Sequence, residues 1–178
     1  YNLRFFPQYR NGYIALEKVM ENAEPSYGYY SLAHHIANTD NNLIITTNFD
    51  SLVEDALFIC TQQKPRVINH EALASYLNLE VNKPIVAKVH SGLFFQPKSR
   101  QEQEQGMTDG WAKALQDEFK LYTPVVIGYA GGDSSMMDLL KDDNTRLKGI
   151  YWCFQGEKPN GEIEEIVNRH GGYFVKIE

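Results

Sequence analysis

Apolar and polar positions alternate along this chain in two distinct rhythms. From Tyr13 to Ala23, Ile14, Leu16, Val19 and Met20 recur at roughly helical spacing. Pro25-Ser26 predicts the start of a second helix, with Ser26 placed to cap it and Tyr30, Leu32, Ala33, Ile36 and Ala37 on its apolar side. A polar Asn-Thr-Asp-Asn-Asn cluster at 38–42 reads as a turn. The rhythm then changes to Leu43-Ile-Ile-Thr46, a short apolar run of the kind that fills a parallel strand buried on both faces.

The same unit recurs to the end of the chain. Asp50 is placed to cap a helix running through Leu57, Arg66-Val-Ile68 predicts a strand, and His70 to Asn78 a helix. Pro84 to Val89 predicts a strand, Trp111 to Leu121 a helix, and Pro124 to Gly128 a further strand. A helix over Ser134 to Lys141, a strand over Gly149 to Phe154, a helix over Glu162 to Arg169 and a strand over Tyr173 to Ile177 complete the series. The Gln- and Glu-rich stretch 97–109 predicts an exposed loop or insertion.

Strands alternating with helices imply an α/β fold: a Rossmann-like parallel sheet flanked by helices on both faces. Right-handed crossovers place the loops after the strands on one side, where ligands bind in such sheets. The segments following three strands are the most polar and glycine-rich in the chain: Thr47-Asn48-Phe49-Asp50, His90-Ser91-Gly92 and Tyr129-Ala130-Gly131-Gly132-Asp133. With no internal repeat, residues 1–178 are expected to form one domain.

Composition narrows the partners. A net charge of −6 with scattered Lys and Arg disfavours direct nucleic-acid binding. No apolar run approaches the roughly 20 residues that span a bilayer, and no secretory leader pattern is present, so a soluble cytoplasmic protein is expected. The two cysteines, Cys60 and Cys153, form neither a CxxC pair nor a disulfide framework and are expected to be buried, reduced thiols. No metal site is predicted.

Each of the three strand ends supports two readings. Asp50 either caps a helix, worth about 1 kcal/mol, or accepts a hydrogen bond from a ligand carboxamide; Asn48 either turns the chain or holds a water or ribose hydroxyl. His90 is either a satisfied side chain or a proton-transfer group, since an imidazole changes charge near neutral pH. It is the one histidine of five on a strand end, and Gly92 would allow close approach beside it. The strand, glycine-rich turn and helix over 125–135 suit a polar or anionic ligand but match neither GxGxxG nor a P-loop; Asp133 either caps the helix or meets a ribose.

Leu43-Ile-Ile-Thr-Thr-Asn-Phe-Asp50, Lys88-Val-His-Ser-Gly92, Val126-Ile-Gly-Tyr-Ala-Gly-Gly-Asp133 with Ser134 and Met137-Asp-Leu-Leu140, and Gly149-Ile-Tyr-Trp-Cys-Phe154 together resemble the sirtuin-related domain of bacterial proteins. The order and spacing of these motifs carry the resemblance from Pro25 onward. It implies NAD as substrate or ligand. Asn48 would face the anomeric carbon of the nicotinamide ribose, Asp50 the carboxamide, and His90 would act as base toward a ribose hydroxyl. Thr47 falls in the first motif, and Gly128, Tyr129, Asp133 and Ser134 would line the adenosine-ribose side. Relatives without the zinc module are often NAD glycohydrolases, some of them in anti-phage defence.

Departures from the family refine that expectation. The deacylases hold zinc with four cysteines; two unpaired ones argue against protein deacylation. Thr47 replaces a Gln, Ser91 a Gly and Ala130 a Ser. The family's first strand and Gly-Ala-Gly loop are expected upstream of Tyr1, so the sheet read here is expected to be truncated at its N-terminal side. Two functions follow: NAD hydrolysis to nicotinamide and ADP-ribose by the intact protein, or a non-catalytic NAD or ADP-ribose sensor or protein-docking domain. Homo-oligomerisation or further partner domains fit either one.

Overall fold

Leu43–Thr46 forms strand β1, as its β-branched run predicts, and pairs in parallel with β3 (Ile85–Lys88); β2 (Arg66–Ile68) pairs along the other side of β3. The sheet order is therefore β1-β3-β2. The computed structural model describes residues 9–77, 83–90, 107, 109–159 and 161–178. Contacts divide the chain into two compact units, Tyr1–Ser99 and Arg100–Glu178.

In the first unit, helices α1 (Tyr9–Met20), α2 (Tyr27–Ala37) and α3 (Leu52–Thr61) accompany the sheet. Ala33 and Ile36 of α2 cluster with Val53, Ala56 and Leu57 of α3 and with Val86 of β3. Burial of each such aliphatic side chain stabilises by roughly 1.5–3 kcal/mol. Alternation along β3 puts Val86 and Lys88 on this face and Ile85 and Ala87 on the other, and all four are buried. The middle strand is thus covered on both sides, which explains its apolar Ile85-Val-Ala87 stretch. Ser26 stands at the N-cap of α2, but its hydroxyl makes no capping bond. Helix α3 ends where Gln62 turns left-handed (φ 57°) and its N–H reaches the Phe58 carbonyl.

The helix predicted over His70 to Asn78 is instead a short 3-10 helix, Glu71–Tyr76; Asn78 lies outside the described residues. His70 is its N-cap, with Nδ1 accepting from the Ala72 N–H at 3.1 Å.

In the second unit, α4 (Asp109–Leu121), β4 (Val125–Val126), α5 (Ser134–Lys141), β5 (Tyr151–Phe154), α6 (Glu162–Arg169) and β6 (Tyr173–Lys176) alternate, and the strands pair in parallel in the order β4-β5-β6. Trp152 of β5 is buried, as are Leu115 of α4, Met137 and Leu140 of α5, and Ile166 and Val167 of α6. Val125, Tyr151 and Tyr173 form one register row on the opposite face and remain exposed, the two tyrosine rings stacked at 5.9 Å. Helix α6 carries Glu162, Glu164 and Glu165 in its first turn and Arg169 in its last, complementing the helix dipole. Arg169 also pairs with Asp143 and donates to the Lys141 carbonyl at 2.6 Å, tying α6 to the end of α5. The strand predicted over 124–128 shrinks to two residues, because Gly128 turns the backbone to φ +67° directly after it.

The described residues thus form parallel sheets flanked by helices, an α/β arrangement of Rossmann type. Both cysteines are free, but Cys60 is exposed and Cys153 half-buried, not both buried as the sequence suggests. Cys60 lies near the exposed end of α3, beyond the buried Val53, Ala56 and Leu57. Burial raises the Cys153 thiol pKa. The predicted loop at 97–109 falls almost wholly outside the described residues, and its last position, Asp109, already begins α4. No helix among the described residues is long and apolar enough to cross a membrane.

Candidate functional site

Parallel register decides which strand ends meet. Thr46 pairs with Lys88, and the Val89 N–H continues the ladder to the Thr46 carbonyl at 3.2 Å. Asn48 and His90, each two residues farther on, therefore leave neighbouring strands at the same level. The Asn48 N–H donates to Thr46 Oγ1 at 3.0 Å, which bends the chain out of the strand. Thr47 is half-buried in this turn and Asn48 is exposed. His90 is partly buried, and its ring centroid lies 6.2 Å from that of Phe49. Ser91 and Gly92, which complete the histidine motif, lie outside the described residues.

Asp50 has a definite structural task. Its Oδ1 accepts from the Leu52 N–H at 3.1 Å, a local turn; the N-cap itself is Ser51, not Asp50 as the capping reading expects, and Ser51 makes no side-chain capping bond. Its backbone carbonyl accepts from Lys88 Nζ at 2.5 Å. The same ammonium pairs with Glu54 Oε1 at 2.6 Å, with both side chains almost wholly buried. Glu54 stands in the first turn of α3, so one cation joins β3, the turn after β1 and the following helix.

Tyr29 of α2 completes the cluster. Its phenol is hydrogen-bonded to the Asn48 side chain. Burial first, and then the Asp50 charge, raise its pKa, with the Asn48 bond opposing them, so the phenol stays neutral at physiological pH. Neither Tyr29 nor the Lys88–Glu54 pair stands out in the sequence as a site feature. Lys88 did leave a signal: a lone cation inside the apolar run Ile85-Val-Ala-Lys-Val89 must find a counter-ion when the strand is buried. Tyr29 left none, because its partner lies 19 residues away on a different element.

In the second unit, the chain after β4 forms a tight turn. Gly128 is exposed, and a Cβ built there would meet nothing within 4 Å. The Tyr129 ring packs against Trp152, centroids 5.9 Å apart, and its hydroxyl donates to the Asp133 carbonyl at 3.0 Å, closing the turn. Burial, followed by the neighbouring Asp133 charge, pushes the Tyr129 pKa up to about 12. Asp133 caps α5 through a 2.9 Å bond from the Ser135 N–H, and Ser134 is exposed as the first residue of that helix.

In the first unit Asn48 is exposed and His90 partly buried. In the second, a Cβ at Gly132, as at Gly128, would meet nothing within 4 Å. Among the described residues no group of three or more His, Cys, Asp or Glu side chains could hold a metal ion.

Comparison with curated proteins finds no significant match. The sequence profile of the SIR2-like domain matches residues 42–171, most of the chain, and takes in all three strand-end segments. That match connects the domain with NAD chemistry. By its motifs, its α/β architecture and this match, the chain belongs to the SIR2-like domain family.

Proposed function

We propose that this domain binds NAD and, in the intact protein, hydrolyses it to nicotinamide and ADP-ribose, in the anti-phage setting that the family resemblance implies. The observation that carries the reading is the position of Asn48 and His90, each two residues beyond the paired Thr46 and Lys88 of adjacent parallel strands, with Asn48 bonded to Tyr29.

The reaction breaks the bond between ribose C1′ and the nicotinamide nitrogen. The bonding electrons leave with nicotinamide, a water oxygen bonds to C1′, and one proton is released. Asn48 would hold the incoming water through its amide. His90 would accept the proton of a ribose hydroxyl, stabilising the positive charge that develops on the sugar. Asp50, with Oδ1 engaged by Leu52, would use its other oxygen to accept from the nicotinamide carboxamide. Gly128, Tyr129, Asp133 and Ser134 are assigned to the adenosine ribose, and Thr47 to the first motif's ligand contacts, on the resemblance. The cysteine content supports a reaction without a zinc module.

A second reading, a sensor or docking domain without turnover, draws on one observation: Asp50 and Asp133 each already hold a backbone N–H at the start of a helix. Nicotinamide release from NAD, measured on the full-length protein beside His90→Ala, separates the two. Release that requires His90 supports hydrolysis. NAD or ADP-ribose binding without release, with the natural activator supplied, supports the sensor.

A further inference from the structure

We propose that Lys88 is a positioning residue, whose ammonium clamps the Asn48–Asp50 turn against β3 so that Asn48 and His90 hold a working geometry. The inference rests on reading that pair as the site of NAD cleavage.

Lys88 is the last residue of β3 and stands two positions before His90. Its Nζ bonds to the Asp50 carbonyl at 2.5 Å and to Glu54 Oε1 at 2.6 Å. Asp50 is therefore held twice, by its carbonyl on Lys88 and by Oδ1 on the Leu52 N–H. The other end of the turn is held by the Asn48 N–H on Thr46 Oγ1. Phe49 lies between these anchors, and its ring approaches that of His90. The clamp thus reaches both halves of the site: its stem belongs to the strand that carries His90, and its head grips the turn that carries Asn48.

The ion pair is poorly arranged for stability alone. Glu54 Oε2 is buried and has no hydrogen-bond partner. A buried pair with one carboxylate oxygen unsatisfied bears a desolvation cost that an apolar pair of similar volume avoids. What the charged pair adds is direction, since an ammonium can grip a backbone carbonyl and a carboxylate together, and a methyl group can grip neither.

The test uses the full-length protein carrying Lys88→Met with Glu54→Leu, and separately Lys88→Arg. Amide hydrogen exchange over 46–52, thermal midpoint, and kcat and KM for NAD are compared with wild type. In the double variant the midpoint is expected to hold or rise, because an apolar pair replaces a buried ionic one with an unsatisfied oxygen. Exchange in the turn is expected to quicken about tenfold while that of α2 stays unchanged, the mark of local loosening. kcat is expected to fall about 100-fold with little change in KM, as a displaced reacting geometry requires. Lys88→Arg is expected to recover part of both losses. Unchanged exchange in the turn, or wild-type kcat in the double variant, overturns the proposal. Absence of NAD hydrolysis by the wild type speaks against the hydrolase reading alone; the exchange comparison then decides the clamp by itself.

Discussion

The imidazole of His90 and the phenyl ring of Phe49 face each other across two neighbouring strand ends, centroids 6.2 Å apart and planes inclined by 36°. Phe49 is 43% exposed, so the contact lies at the accessible edge of the sheet and not in the core. It places the residue between Asn48 and Asp50 against the residue expected to move a proton. Substituting Asn48→Ala or His90→Ala in the full-length protein is expected to lower kcat for NAD hydrolysis by at least about 100-fold. Asn48 is exposed, so the thermal midpoint of its variant should stay close to wild type. Wild-type rates in both variants would remove the assignment.

Tyr29 offers a finer test of how Asn48 is held. Tyr29→Phe keeps the ring that packs against the α2–α3 cluster but deletes the hydroxyl bonded to Asn48. A loss in kcat of about tenfold is expected, on the scale of one hydrogen bond. In a double-mutant cycle with Asn48→Ala the two effects should not add, because one acts through the other. Additive effects would show that Tyr29 works elsewhere.

Tyr129 predicts a specific response to alkali. Its folded pKa of about 12 stands above the ordinary tyrosine value of 10.0, so the folded state retains a proton that the unfolded state gives up first. The stability linked to this residue is fully present below about pH 10 and declines as pH rises through about 12. Absorbance titration of the phenolates should show a late component near pH 12 that Tyr129→Phe removes, together with a shallower alkaline loss of stability. A component at the ordinary tyrosine value in place of the late one would contradict the assigned environment.

Two glycines should behave oppositely on substitution by alanine. A Cβ at Gly172 would stand 2.4 Å from both the carbonyl oxygen and Cγ2 of Ile150, a residue only 1% exposed, so the backbone leading into β6 must move. Gly172→Ala is expected to destabilise by about 3 kcal/mol, read from chemical denaturation. At Gly128 the space is open and only the positive φ is unfavourable, so Gly128→Ala should cost about 1 kcal/mol. Equal losses at the two sites would undercut the packing described here.

Local pattern carried the element order well. Leu43–Thr46, Arg66–Ile68, Ser134–Lys141 and Glu162–Arg169 form where the apolar rhythm places them, because each combines one clear period with polar or capping residues at its ends. Pattern failed where local geometry overrode it: Glu71–Tyr76 winds as a 3-10 helix in place of an α-helix, and β4 has only two residues before the left-handed Gly128. At the site, residue type marked Asn48, Asp50 and His90; the cap reading of Asp133 proved correct, while Asp50 stands one residue before the N-cap Ser51.

The alternation of strands and helices, the family, and the chemical kinds of side chain that follow the strands are written in the amino-acid order alone. These are local properties, legible from periodicity and from motifs a few residues long. That Lys88 joins Asp50 to Glu54, and that Tyr29 reaches Asn48, follows from the folded arrangement. Those contacts span 34 to 38 residues for Lys88 and 19 for Tyr29, and they exist only once parallel pairing of β1 with β3 has fixed the register. A buried cation announces that it needs a partner, but chain topology chooses which one.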